Sequence, residues 1–431
     1  MPALHDPVAL GGVELPNRLY RAPLLECAGS GSDAPAILRR KLEPAAASGV
    51  SLIFQGATIV RGEGGCAAPG MTRVHNPAFV STLSAVTDAV HDHDAKIFLQ
   101  LEHGGLRSME TWHAGYRANH PNLTQLAVSK PPRLLRALDR MGVLSYTPHI
   151  LSTDEVYDLA RDFGEAAGHA VDAGYDGIHL AGANMGIIQQ FLSPYYNQRD
   201  DEFADGVRFL EAMCDEIRTH AGDVPLVTKI PAETAAPWFV RRKLSFEDGV
   251  EMARKAADLG FDALVPVEVS TFWDMSIVRG RFPARAWRLE QLESGYEEAF
   301  GGRLRARGVE LGNRLQARRF ADAEGWNESF CRAVRAAVDV PVLMEGGVRT
   351  RPQIDRLLSS GACDMVGMAR PFYAEPRLAA RLLSDGESAV VCESCNNCTV
   401  PQVTGADGVC RTPSVLRRRG EFERAGAYDR T

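Results

Sequence analysis

No window of this 431-residue sequence approaches the roughly 18–20 uninterrupted apolar residues that a membrane-crossing helix needs. The opening stretch, MPALHDPVALGGVEL, has no basic start followed by an apolar segment, so no export leader is expected and the chain reads as cytoplasmic. Basic excess is lacking too. The formal net charge is −7, and RRK at Arg241 and RRR at Arg417 read as short solvated patches rather than a footprint for nucleic acid. With membrane and polymer partners set aside, 45% hydrophobic and 24% charged residues describe a soluble globular chain long enough to bury a sizeable core.

Cysteine, by contrast, is not scarce. Of nine cysteines, Cys27, Cys66, Cys214, Cys331 and Cys363 are scattered through helical or strand-like stretches and are expected to be reduced, buried and inert. The other four, Cys392, Cys395, Cys398 and Cys410, crowd the end as C-x2-C-x2-C-x11-C. In an intracellular chain that spacing points to a metal site rather than to disulfides. Four thiolates suit an iron–sulfur cluster or a closed tetrahedral zinc site, and spacing alone leaves both open.

Eight short apolar, β-branched-rich runs recur: RLYRAP, VSLIFQG, KIFLQL, YDGIHLAG, VPLVTKI, FDALVPV, VPVLMEGG and CDMVGMA. Between them lie stretches with helical periodicity, such as STDEVYDLARDFGEAAGHAVDAG. Continuous hydrophobicity implies strands buried on both faces, and alternating strand and helix units imply a parallel sheet. The fold class expected is therefore α/β, a (β/α)8 TIM barrel over residues 1–388, followed by a short cysteine-rich extension over 389–431. Two connections, Gly104 to about Leu151 and Ser270 to about Trp326, are unusually long. Both follow strand C-terminal ends, and Trp112, Tyr116, Phe272, Trp273 and Trp287 are expected either to shape a substrate pocket or to pack the inserts onto the barrel.

The ordered set LPNRLYRAP, TDAVHDHDAKIFLQLEHGG, FLSPYYNQRDDEF, MEGGVRT and VGMARPFYAEP resembles the old yellow enzyme family of FMN-dependent oxidoreductases, from about Leu15 to Pro376. The terminal cysteines are similar to the cluster-bearing branch that includes trimethylamine dehydrogenase and 2,4-dienoyl-CoA reductase, whose later nucleotide-binding domains this sequence lacks. The resemblance implies FMN contacts at Pro23 and Leu24, at Ala57 after Gly56, and at Gln100, whose amide both donates and accepts. Lys229 stands where most relatives have Arg, and a cation there stabilises charge developing on the flavin. The alternative for Lys229 is a barrel lysine paired with a buried carboxylate. Gly346, Gly347, Gly367, Ala369 and Arg370 match the barrel phosphate site.

Departures from the family are specific. The pair that holds the substrate oxygen, and the proton-donating tyrosine, fall here on Ala181, Asn184 and Gly186. His179 shares the strand face of Ala181, and His103 is the remaining acid or base. Glu102 is open to pairing with a cationic substrate or to facing solvent. Leu25 occupies the position of the flavin-bonding cysteine, so FMN is expected to be non-covalent.

The resemblance thus implies an FMN-dependent oxidoreductase acting on a small organic substrate by hydride transfer at flavin N5. A 4Fe-4S cluster on the four terminal cysteines would relay electrons to or from a separate electron-transfer protein or reductase subunit. Two alternatives remain: a NAD(P)H-dependent ene-reductase with a structural metal site, and a catalytically degenerate flavin-binding subunit. Homo-oligomerisation stays open.

Overall fold

The computed structural model describes residues 2–384 and 388–429. All eight apolar runs are parallel strands: β1 Leu19–Arg21, β2 Leu52–Ile59, β3 Lys96–Glu102, β4 Gly177–Leu180, β5 Leu226–Ala232, β6 Ala263–Glu268, β7 Leu343–Glu345 and β8 Met365–Met368. Hydrogen-bonded neighbours follow the order β6-β5-β4-β3-β2-β1-β8-β7. The parallel bridge between Leu264 and Val342 joins β6 to β7 and closes the ring.

Period-two alternation splits each strand between two cores. Tyr20, Leu52, Phe54, Phe98, Val227, Val265, Leu343 and Met365 meet inside the barrel. Ile53, Ile97, Leu99, Ile178, Leu226 and Val366 pack outward onto the helices. An antiparallel hairpin, Val8–Leu10 with Val13–Leu15, adds Leu10 and Leu15 to the inner core.

Strand starts are aligned by a repeated device. The turns AGYDG, LGFDA and SGACD each hold a left-handed glycine: Gly174 at φ 88°, Gly260 at 89° and Gly361 at 68°. The aspartate that follows accepts an amide from a neighbouring strand: Ile97 to Asp176 at 2.9 Å, Leu226 to Asp262 at 2.8 Å, and Val342 to Asp364 at 2.9 Å. Fixing the starts sets the depth at which side chains emerge at the C-terminal ends.

Both long connections leave those C-terminal ends. The first carries short helices at Met109–Trp112, Ala114–Asn119 and Arg133–Arg140, with Gln125–Ala127 paired to Pro148–Ile150. The second carries the helices Glu290–Phe300 and Arg303–Arg319. The cysteine segment lies against the barrel, with the Val390 amide on Arg349 O at 2.9 Å and the Arg351 amide on Ser388 O at 2.8 Å. Residues 385–387, just before the expected boundary at 388/389, lie outside the described set. No helix among the described residues is long and apolar enough to cross a membrane. Of the five scattered cysteines, four are buried and Cys27 is half-buried, and all are unbridged.

Candidate active site

Gln100, His179 and Lys229 come from β3, β4 and β5 at inward-facing positions. Gln100 and His179 are register partners, and the Gln100 amide donates to His179 Nδ1 at 3.3 Å. The His179 ring packs on Phe54 of the inner core, with centroids 4.4 Å apart. Burial, and then the Lys229 charge, push His179 well below the usual imidazole range, so the ring is neutral. Its Nε2 is buried with no partner among the described residues. Lys229 itself is paired, Nζ to Glu345 Oε2 at 2.5 Å, the kind of carboxylate partner that the alternative reading expects.

Above this layer, Glu102 is buried and does not face solvent. It forms an ion pair with Arg107 at 3.1 Å, both side chains almost fully buried. Burial raises the Glu102 pKa, while Arg107 and then Lys229 pull it down. Arg107 also donates to Asn184 O and lies 5.3 Å over the Trp273 ring. Asn184 and Met185 are both left-handed, at φ 77° and 62°, forming a tight turn after β4. At Gly186 an added Cβ would come within 3.0 Å of Glu102 Oε1. The position of the expected tyrosine is thus crowded by the Glu102 carboxylate.

His103 lies beside the layer, under the loop that holds Gly65, where an added Cβ would sit 2.4 Å from its Nε2. Its Nδ1 accepts the Gly105 amide at 3.2 Å. Burial, then the Arg61 and Arg73 charges, push His103 down to about 3. Below β4's turn, buried Glu233 accepts hydrogen bonds from Gln189 at 3.1 Å, Ser193 at 2.9 Å and the Leu244 amide at 2.9 Å. Burial nevertheless pushes it up to about 7.

The five residues expected at the phosphate, Gly346, Gly347, Gly367, Ala369 and Arg370, line one pocket together with Trp326, Arg349, Cys392 and Ser394. Gly346 and Gly347 are left-handed at φ 108° and 73°. A Cβ at Gly367 would overlap the Tyr20 ring at 2.1 Å, so only glycine lets β8 approach β1 here. Arg370 lines this pocket too. Its terminal nitrogens go to Asn396 and, at 2.7 Å, to Arg279 O, so the guanidinium ties this pocket to the cysteine segment.

Cys392, Cys395, Cys398 and Cys410 line a second pocket with Arg370, Tyr373, Asn396 and Thr412. Ser394 and Asn396, between the cysteines, are left-handed at φ 49° and 58°, which turns the thiols to a common side. Thr412 Oγ1 lies 2.9 Å from Cys395 Sγ, and the Asn397 amide donates to that sulfur at 3.3 Å. Burial pushes the Cys398 thiol up to about 12, against the pull of Arg370. Among the described residues no group of three or more Cys, His, Asp or Glu side chains is placed to hold a metal ion. Leu24 packs with Tyr373, Ala369 and Cys398, which joins the end of β1 to the cysteine loop. Ala57 lies with Leu25, Met71 and Trp112, and Pro23 is half-buried just before Leu24.

The insert aromatics form a connected series: Trp273 to Trp112 at 5.0 Å, Trp112 to Phe300 at 6.1 Å, and Phe300 to Trp287 at 6.2 Å. Tyr116 joins Trp112 in the cluster around Ala57, while Phe272 packs instead on Tyr195. Sequence reasoning missed Arg107, Glu233 and Glu345. Each is an ordinary charged residue by pattern, and only burial against a partner distant in sequence or across a turn marks it.

A profile of the NADH:flavin oxidoreductase / NADH oxidase family matches residues 3–267. Cinnamate reductase from Clostridium sporogenes is 25% identical over 91% of this chain and 54% of its own length. 4,4'-dithiodibutanoate disulfide reductase from Rhodococcus erythropolis is 25% identical over 96% of this chain and 97% of its own length. The structure of histamine dehydrogenase from Rhizobium sp. 4-9 superposes with a TM-score of 0.71 at 20% identity, covering 96% of this chain and 53% of that one, and shares the fold. The chain thus spans about half the length of several relatives that it matches.

Proposed function

We propose, from the premise that the chain belongs to the NADH:flavin oxidoreductase / NADH oxidase family, that it is an FMN-dependent oxidoreductase for a small organic substrate, exchanging electrons with a separate carrier through a 4Fe-4S cluster. When bound, FMN supplies hydride exchange at N5 and the cluster supplies single-electron transfer.

The residues present fit both groups. Gly346, Gly347, Gly367, Ala369 and Arg370 would hold the phosphate, and all five line one pocket. Gln100 and Lys229 would meet the polar edge of the ring, with His179 Nε2, which has no partner among the described residues, as a further donor. Pro23, Leu24 and Ala57 would give apolar contact. Cys392, Cys395, Cys398 and Cys410 supply four thiolates around one pocket. Asn184, on the turn after β4, and neutral His103 are the groups assigned to substrate, and neither replaces the tyrosine missing at Gly186.

One observation carries this reading: the phosphate pocket and the cysteine pocket share Arg370, Cys392 and Ser394. Groups held by shared residues would be neighbours, and Leu24, assigned to the ring, packs with Cys398, so a bound flavin and a bound cluster would lie on adjoining surfaces. Anaerobically purified protein should contain about four iron and four sulfide per chain, with broad absorbance near about 400 nm under the flavin bands. Acid precipitation should release FMN into the supernatant. One zinc without iron would remove the relay, and FAD or precipitate-bound flavin would overturn the cofactor assignment.

A second reading, a stand-alone reductase fed directly by a nicotinamide, is favoured by the Rhodococcus disulfide reductase, which this chain covers over 97% of its length. Flavin reduction by NADH or NADPH as fast as turnover, with no carrier present, would select it.

A further inference from the structure

Resting on the reading that electrons pass to a separate carrier, we infer that the exposed face of the helix Arg303–Arg319 is the docking surface for an acidic electron-carrier protein. This helix, RLRARGVELGNRLQARR, buries only Ala306 and Ala317. Leu304, Leu311 and Leu315 are 85%, 59% and 57% exposed. At 3.6 residues per turn these leucines fall within about 40° of arc, on the side away from the buried alanines. Gly308 lies in the same strip, with nothing within 4 Å of an added Cβ, so the strip is open. At its far end the Arg319 guanidinium donates to Ala235 O at 2.7 Å. That contact brings alongside a loop whose Trp238 is 91% exposed and Phe239 51% exposed. The aligned leucines are exposed apolar side chains of the kind that mark an interaction surface.

Charge identifies the occupant. The helix carries six arginines and one glutamate. Arg241, Arg242 and Lys243 follow the exposed aromatics, although the whole chain is acidic at −7. A basic rim around an apolar strip complements an acidic protein surface. A second copy of this chain fits poorly, because a two-fold pairing of the helix with itself, in either direction, sets arginines against arginines. An anionic lipid surface also fits poorly. The strip is about one residue wide and is interrupted at Gly308, whereas an interfacial helix buries a broad apolar face.

The position is also apt. Arg314 stacks over the Phe282 ring at 4.7 Å, and Phe320 O accepts the Gly280 amide at 2.8 Å. The Arg281 amide donates to Ser394 O at 2.8 Å, and the Asn396 amide side chain to Val278 O at 3.0 Å. The segment 278–282 therefore lies between this helix and the loop that bears the cysteines.

The test uses the full chain, purified anaerobically, with a flavodoxin and a plant-type 2Fe-2S ferredoxin as acidic probes in titration calorimetry. At least one probe should bind saturably at low salt and weaken about tenfold as salt is raised beyond the screening range. The double variants Leu311→Asp/Leu315→Asp and Arg307→Glu/Arg318→Glu should each weaken binding about tenfold or more while FMN content is unchanged. Binding of neither probe, or binding that both variants leave intact, overturns the inference. So does a variant-sensitive dimer of the chain, or variant-sensitive binding to phosphatidylglycerol vesicles, in place of probe binding. Iron and sulfide analysis separates the two levels. Docking at this face on a protein without iron would sink the relay alone, and an intact cluster with no docking would sink this surface alone.

Discussion

Lys229 Nζ and Glu345 Oε2 face each other 2.5 Å apart inside the barrel, bridging β5 and β7 across β6. The Tyr20 hydroxyl lies 3.5 Å from the other Glu345 oxygen. The interior cation is therefore held in place by a carboxylate of the barrel itself.

Removing one partner leaves the other charge buried. Lys229→Met should cost about 2–4 kcal/mol in urea unfolding of the apoprotein, somewhat below the cost for a fully buried pair, because Glu345 keeps some exposure. The double variant Lys229→Met/Glu345→Leu should lose clearly less than the sum of the two single losses. Simple additivity would show that the pair is not coupled.

Glu233 sets a pH dependence. Its folded pKa, about 7, lies above the ordinary carboxylate value of 4.5. The folded state therefore binds the proton more tightly than the unfolded state. This contribution to stability is fully present below pH 4.5 and is lost as pH rises through about 7. Glu233→Gln should flatten the decline in stability between those limits, followed as the denaturation midpoint at several pH values. An unchanged profile would show that the carboxylate stays ionised throughout.

The barrel was legible because its signals are local. Eight apolar runs, separated by helical periodicity and by turns in which Gly precedes Asp by two or three residues, leave few other ways to bury both strand faces. It was the resemblance that joined the glycine pair at 346 to the VGMAR run, and the structure sets both along one pocket. The partners of the charged pairs were not legible. Glu345 lies 116 residues from Lys229, and nothing in either stretch announces the other. Glu102 and Arg107 are close in sequence, but their burial depends on the insert that brings Trp273 over the guanidinium.

Gly186 bears on substrate chemistry. An added Cβ at this position comes within 3.0 Å of Glu102 Oε1, and His103 is held neutral, so on the proposed assignment neither position supplies the usual proton. Reduction of simple cyclic enones should run about 10²–10⁴-fold below that of an enzyme with the donor in place, measured as anaerobic reoxidation of dithionite-reduced protein. Rapid reoxidation by cyclohexenone would mean that another group delivers the proton.

Arg370 and Cys395 separate the two pockets. Arg370 borders both, through Asn396 on one side and the glycine loops on the other, whereas Cys395 lines only the cysteine pocket. Cys395→Ala should therefore abolish the broad absorbance near about 400 nm and the bound iron while FMN remains near one per chain. Arg370→Ala should lower both, because it removes a cation from the phosphate pocket and frees Asn396, which also holds the segment at Val278 by a 3.0 Å hydrogen bond. The lower FMN content should recover partly at high added FMN, since mass action offsets a weakened site, while the iron content should not. If Arg370→Ala lost FMN and kept all its iron, the two pockets would be independent, and the shared-residue argument for electron exchange between them would fall.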